Sequence, residues 1–161
     1  MDSELIKLTD KAGTILLRKN YTIAVAESVT SGTVQCAFSL AKNTISFYQG
    51  GITVYNIGQK CRHLSVEPTH AINCNCVSQQ VSDQMAIGVA RMFTSDIGVG
   101  ITGYASPVPE QDVKKLFAFM SISKNGRIIF SKKINAAQMA PYDVQVDYAK
   151  KLMRHLFNIL S

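Results

Sequence analysis

Between Thr22 and Ala26 the chain reads Thr-Ile-Ala-Val-Ala, an uninterrupted apolar, β-rich stretch too short for a helix. A run of this kind fits a strand buried on both faces, as in a parallel sheet covered by helices. The segments around it alternate in the way such a sheet requires. Leu5, Leu8, Ala12, Ile15 and Leu16 recur at helical spacing and predict an amphipathic helix over 3–19. Residues 31–41 read as a helix opened by Thr30 or Ser31 as cap. Gly50-Gly51 punctuates the chain before a second strand, Ile52 to Tyr55, and a short helix over Ile57 to Leu64 stops ahead of Pro68. Ser78 caps a helix carrying Val81, Met85, Val89 and Met92. Asp96 to Ile101 predicts a strand whose small residues let a helix approach closely. Leu116–Ser123 and Arg127–Ile134 flank Asn125-Gly126, a strong hairpin signal, and Pro141 opens a last helix with Tyr148, Leu152, Leu156 and Leu160 as its buried stripe.

Alternation early and a hairpin late imply an α/β fold: a three-layer α/β/α sandwich with a mostly parallel five-stranded sheet and one antiparallel strand. With 161 residues and no repeat, linker or low-complexity tract, the expectation is one domain over 1–161. Hydrophobic residues at 47% against 17% charged exclude wholesale disorder. No apolar run reaches the roughly 18 residues of a membrane helix, and Met1 to Lys11 lacks the apolar stretch of a signal peptide, so a soluble, cytoplasmic protein is expected.

The net charge of +6 is spread over mild pairs such as Lys114-Lys115 and Lys132-Lys133, without interleaved aromatics. Such a surface suits an anionic small molecule better than nucleic acid. Cys36, Cys61, Cys74 and Cys76 form no Cys-x-x-Cys pair and meet no histidine at zinc spacing, so reduced thiols and no metal are expected. No cofactor is called for, and a homo-oligomer stays open.

Chemistry gathers where strands end. Open α/β sheets bind ligands outside the carboxyl ends of their strands, and three polar clusters stand there: Glu27-Ser28, Tyr55 to Lys60, and Thr102-Gly103. Ser28 precedes a helix start at Thr30-Ser31-Gly32, whose free N–H groups favour an anion or a developing oxyanion. A lysine desolvated beside a serine can act as its general base, which makes Lys60 a candidate, with Tyr55 relaying a proton or holding the lysine. Thr102 could bind substrate by its hydroxyl, and Gly103 lets backbone approach it. Taken singly, each residue also suits a blander role: a turn serine, a surface lysine, a tyrosine closing a strand.

Together these residues resemble a known family. Ala26-Glu27-Ser28-Val29-Thr30-Ser31-Gly32 resembles the Ala-Glu-Ser-Cys-Thr-Gly-Gly signature of the CinA C-terminal (competence-damage-inducible, nicotinamide-nucleotide amidohydrolase) family. Gly50-Gly51-Ile52-Thr53-Val54-Tyr55 with Lys60, Cys76-Val77-Ser78 with Val81 and Met85, and Ile101-Thr102-Gly103 with Pro107 are similar to its later segments, in order. The resemblance implies an anticodon-binding-domain-like sandwich that deamidates nicotinamide mononucleotide to nicotinic acid mononucleotide and ammonia. It implies Ser28 as nucleophile, Tyr55 and Lys60 as its activators, and Glu27, Thr30, Ser31, Gly32, Thr102 and Gly103 around the substrate.

The sequence also departs from that pattern. Val29 and Ser31 stand where the family has Cys and Gly. After Thr102 the glycine-rich run is replaced by Tyr104 to Asp112, with two prolines that lack N–H donors and two acids that repel an anion. Phe117 stands where glycine is usual, and no arginine lies between Arg127 and Arg154. Two functions follow: a serine amidohydrolase, or a paralogue that binds an altered ligand or regulates without catalysis.

Overall fold

The computed structural model describes residues 1–161. Its elements are α1 (Ser3–Lys19), β1 (Ile23–Glu27), α2 (Thr33–Ser39), β2 (Tyr48–Thr53), α3 (Ile57–Leu64), α4 (Pro68–Asn73), α5 (Gln79–Phe93), β3 (Ile97–Gly103), β4 (Leu116–Lys124), β5 (Arg127–Ala136) and α6 (Pro141–Leu160). The five strands form one sheet in the order β2-β1-β3-β4-β5. β1 pairs in parallel with both β2 and β3, whereas β3–β4 and β4–β5 are antiparallel. Two pairings of each kind make the sheet mixed, which corrects the expectation of a mostly parallel one. The reason is the place of β4: the Asn125-Gly126 turn, with both residues at positive φ, folds β5 back along it, and because β4 lies between β3 and β5 it runs antiparallel to both neighbours.

β1 shows why helices must cover both faces. Ile23 and Val25 point into a core of 27 residues shared with α1, α2 and α6, while Ala24 and Ala26 point into a smaller one under α3, α4 and α5. The small residues on the second face let α5 lie almost on the backbone. A Cβ on Gly98 would overlap the Ala86 carbonyl oxygen, and one on Gly100 would stand 2.7 Å from the Ala86 nitrogen.

The same close packing accounts for a misplaced boundary. Gly50 and Gly51 lie inside β2 instead of ahead of it. A Cβ on Gly50, whose φ is +130°, would meet the Phe93 ring at 2.7 Å, so these glycines mark close approach within a strand. Helix α4 has no counterpart in the sequence reading, although Glu67 caps it through the Thr69 and His70 N–H groups and Pro68 takes its first turn.

Candidate active site

Register aligns the carboxyl ends of three neighbouring strands. Glu27 of β1 pairs with Thr53 of β2 and with Ile101 of β3. The following residues stay in step, since Ser28 N–H donates to the Ile101 carbonyl at 3.1 Å and Val54 N–H to the Glu27 carbonyl at 2.8 Å. Ser28, Val54 and Thr102 are thereby set side by side at one end of the sheet.

Lys60 enters this row from α3. Asn56 caps that helix by accepting from the Gln59 N–H, and the helix carries the lysine chain back under the strand ends. Its Nζ donates to Ser28 Oγ at 3.0 Å and to the Val54 carbonyl at 2.8 Å. Lys60 is 1% exposed and faces no carboxylate within salt-bridge distance. Burial therefore pulls its pKa below the ordinary lysine range. A buried amine hydrogen-bonded to a serine hydroxyl, with no carboxylate to hold its charge, is placed where a base for that nucleophile would stand.

Glu27 acts behind the site. It is wholly buried, and its carboxylate accepts the N–H groups of Gly32, Val34 and Gln35 at 3.2, 3.1 and 2.8 Å. It thus caps α2 in place of Thr30 or Ser31, and α2 begins at Thr33 because Ser31 and Gly32 turn through positive φ. The Ser31 N–H is also taken, by the Ser28 carbonyl at 3.2 Å. The Ser31 and Gly32 amides are consequently not free for an oxyanion. The Val29 and Thr30 N–H groups are donated to no group of the chain, and the Thr30 hydroxyl is the one buried side-chain polar atom without a partner.

Beside them, at the strand ends, opens a cleft of about 580 Å³. Ser28, Tyr55, Lys60, Thr102 and Gly103 line it; Glu27, Thr30, Ser31 and Gly32 do not. Tyr55 stands exposed at the mouth and makes no hydrogen bond to Lys60. The Thr102 hydroxyl donates to the Cys76 carbonyl at 2.8 Å, so it meets a ligand as an acceptor only. Sequence reasoning passed over Val29, Asn75, Tyr104 and Gln145, which also line the cleft. Position after the nucleophile marks Val29 and position after the end of β3 marks Tyr104, but no local pattern marks Asn75 or Gln145. All four cysteines are free, and no cluster of three or more metal-ligating side chains occurs.

The sequence profile of the CinA C-terminal domain matches residues 5–159. The chain belongs to the CinA C-terminal domain family. A CinA-like protein of Chlorobium chlorochromatii is 30% identical over 97% of this chain, which spans 37% of that protein. A putative competence-damage inducible protein of Clostridioides difficile is 33% identical over 79% of the chain, which spans 31% of it. The chain therefore spans about a third of these relatives. It superposes on the competence or damage-inducible protein from Enterobacter asburiae with a TM-score of 0.92 at 24% identity, covering 99% of this chain and all of that one. For the CinA superfamily protein of Klebsiella pneumoniae 700603 the TM-score is 0.91 at 22% identity, over 97% of each chain. The shared architecture is the CinA α/β sandwich; these superpositions give no specific likeness to an anticodon-binding domain. No helix of this CinA-family chain is long and apolar enough to cross a membrane.

Proposed function

We propose that the chain is a serine amidohydrolase that releases ammonia from the carboxamide of a nicotinamide nucleotide or a related amide. The observation that carries this reading is the 3.0 Å contact between the buried Lys60 amine and Ser28 Oγ. In the proposed reaction neutral Lys60 accepts the Ser28 proton as Oγ attacks the carboxamide carbon. The negative charge forming on the amide oxygen is met by the Val29 N–H, which is free and borders the cleft. Lys60 then passes its proton to the departing nitrogen, which leaves as ammonia, and an acyl ester remains on Ser28. Water, deprotonated by the same amine, cleaves the ester to the carboxylic acid and restores the hydroxyl. Tyr55, from its place at the mouth, packs beside the substrate ring.

The test is ammonia release from nicotinamide mononucleotide, its riboside and simple amides, together with mass spectrometry of the chain after rapid quenching. An acyl adduct on Ser28 supports the mechanism. Absence of ammonia from every amide at high protein concentration rejects it and favours a binding or regulatory paralogue. The rebuilt loop between Tyr104 and Val113 is the observation that speaks for that second reading.

A further inference from the structure

We propose that the cleft selects an unphosphorylated carboxamide, a free base or its riboside, over a phosphorylated one; this rests on the amidohydrolase reading and narrows its substrate. A phosphate held in a protein takes charge-assisted donors or a concave run of backbone N–H groups. The loop after β3 has been rebuilt so that it offers neither. Pro107 and Pro109 carry no N–H. The N–H groups of Val108, Gln111, Asp112 and Val113 close turns within the loop, and that of Tyr104 donates to the Phe117 carbonyl. Of its amides only those of Ala105, Ser106 and Glu110 stay free, and the adjacent pair Ala105-Ser106 is cut off by the engaged Tyr104 N–H before it and by Pro107 after it, so no three successive N–H groups are left to form a nest.

The loop is also tied in place. Asn75, in the turn between α4 and α5, donates its amide to the Tyr104 hydroxyl at 3.2 Å and to Gln111 Oε1, which accepts from Tyr104 as well at 3.2 Å. Tyr148 of α6 anchors the same segment by donating to the Tyr104 carbonyl at 3.0 Å. A three-residue polar strap thus joins the two walls of the cleft, satisfied by its own members.

Charge points the same way. Lys60 is the only charged side chain lining the cleft, and it is engaged at the floor with Ser28 and Val54. The N-terminus of α2 is neutralised by Glu27. At α3 the Ile57 and Gly58 N–H groups stand free while Asn56 takes that of Gln59, and the one cation of that turn, Lys60, points away to the floor. A desolvated phosphate would find weak dipoles there and no counter-charge. The cleft volume of about 580 Å³ nevertheless accommodates a nucleoside.

Steady-state ammonia release by the wild-type chain from nicotinamide, its riboside and its mononucleotide, at fixed ionic strength, tests the proposal. The expected result is a kcat/KM for the riboside at least about tenfold above that for the mononucleotide. An equal or higher value for the mononucleotide overturns it. If none of the three releases ammonia, the amidohydrolase reading fails separately, and titration calorimetry with the Ser28→Ala chain decides selectivity. Tighter binding of the riboside supports the proposal. Equal or tighter binding of the mononucleotide, binding of neither, or displacement of the riboside by millimolar inorganic phosphate overturns it.

Discussion

Lys60 Nζ lies 3.0 Å from Ser28 Oγ although the two residues are 32 positions apart in the chain, and both are buried, Ser28 keeping only its opening to the cleft. An amine this deep is held by a hydroxyl and a carbonyl instead of an anion, so the ammonium form is the costly one.

If the pair acts as one unit, Ser28→Ala and Lys60→Met each lower kcat/KM by at least about a thousandfold, and the double variant is little worse than either. Ser28→Ala still folds, at a cost of about 1–3 kcal/mol for the partner that the buried amine loses. Additive losses in the double variant would mean that the two residues work independently.

The pH dependence has a definite sign. The proposed reaction needs neutral Lys60, and burial holds its folded pKa below 10.5. The kcat/KM therefore rises with pH through that depressed value and levels above it. The unfolded chain binds the extra proton in the window between the folded pKa and 10.5, so the Lys60 contribution to stability also rises with pH there. Lys60→Met removes both dependences. A wild-type profile that falls with pH in this window would assign Lys60 the role of a fixed cation.

Much of this architecture was legible because periodicity and capping act locally. Asn125-Gly126 gave the hairpin, Ser78 caps α5 through the Val81 N–H, and Tyr148, Leu152, Leu156 and Leu160 are all buried on α6. The readings that moved depend on contacts distant in sequence. Gly50 looks like punctuation until Phe93 of α5 is laid against it, and the start of α2 depends on the Glu27 carboxylate reaching to Gln35. Ser28, Tyr55, Lys60, Thr102 and Gly103 meet at one cleft because each stands at the carboxyl end of a strand or in the segment that leaves it. Tyr104 follows β3 directly and answers to the same rule, whereas Asn75 and Gln145 come from a turn and a helix that no strand-end rule selects.

Glu27 is predicted to position the nucleophile without touching substrate. Glu27→Gln replaces one acceptor oxygen by a donor against the N–H groups at the start of α2. The resulting buried mismatch costs about 1–3 kcal/mol, read as a lower urea midpoint at unchanged slope. An unchanged midpoint would show that the carboxylate is not what organises the start of α2.

Close packing of α5 on β3 makes Gly100 intolerant of even a methyl group. The Cβ of Gly100→Ala would press on the backbone of Ser82 and Ala86, which no rotamer change relieves. Overpacking of this kind costs about 1–3 kcal/mol or more. Gly126→Ala meets no neighbour, so any loss there comes from its positive φ alone and is smaller. Equal midpoints for wild type and Gly100→Ala in thermal unfolding would refute the packing argument.

The cysteines report on the cleft by their rates of alkylation. Cys36 is exposed on α2, whereas Cys76 is half-buried, lines the cleft and has its thiol pKa pushed up by burial. Thiolate is the reacting species, so Cys36 is expected to be modified first and Cys76 late. A bound amide should slow Cys76 further and leave Cys36 unchanged, because only Cys76 borders the cleft. Peptide mapping after timed exposure to iodoacetamide, with and without nicotinamide riboside, separates the two sites. Cys76 reacting as fast as Cys36, or a riboside that protects both equally, would place the ligand outside the cleft floored by Ser28 and Lys60.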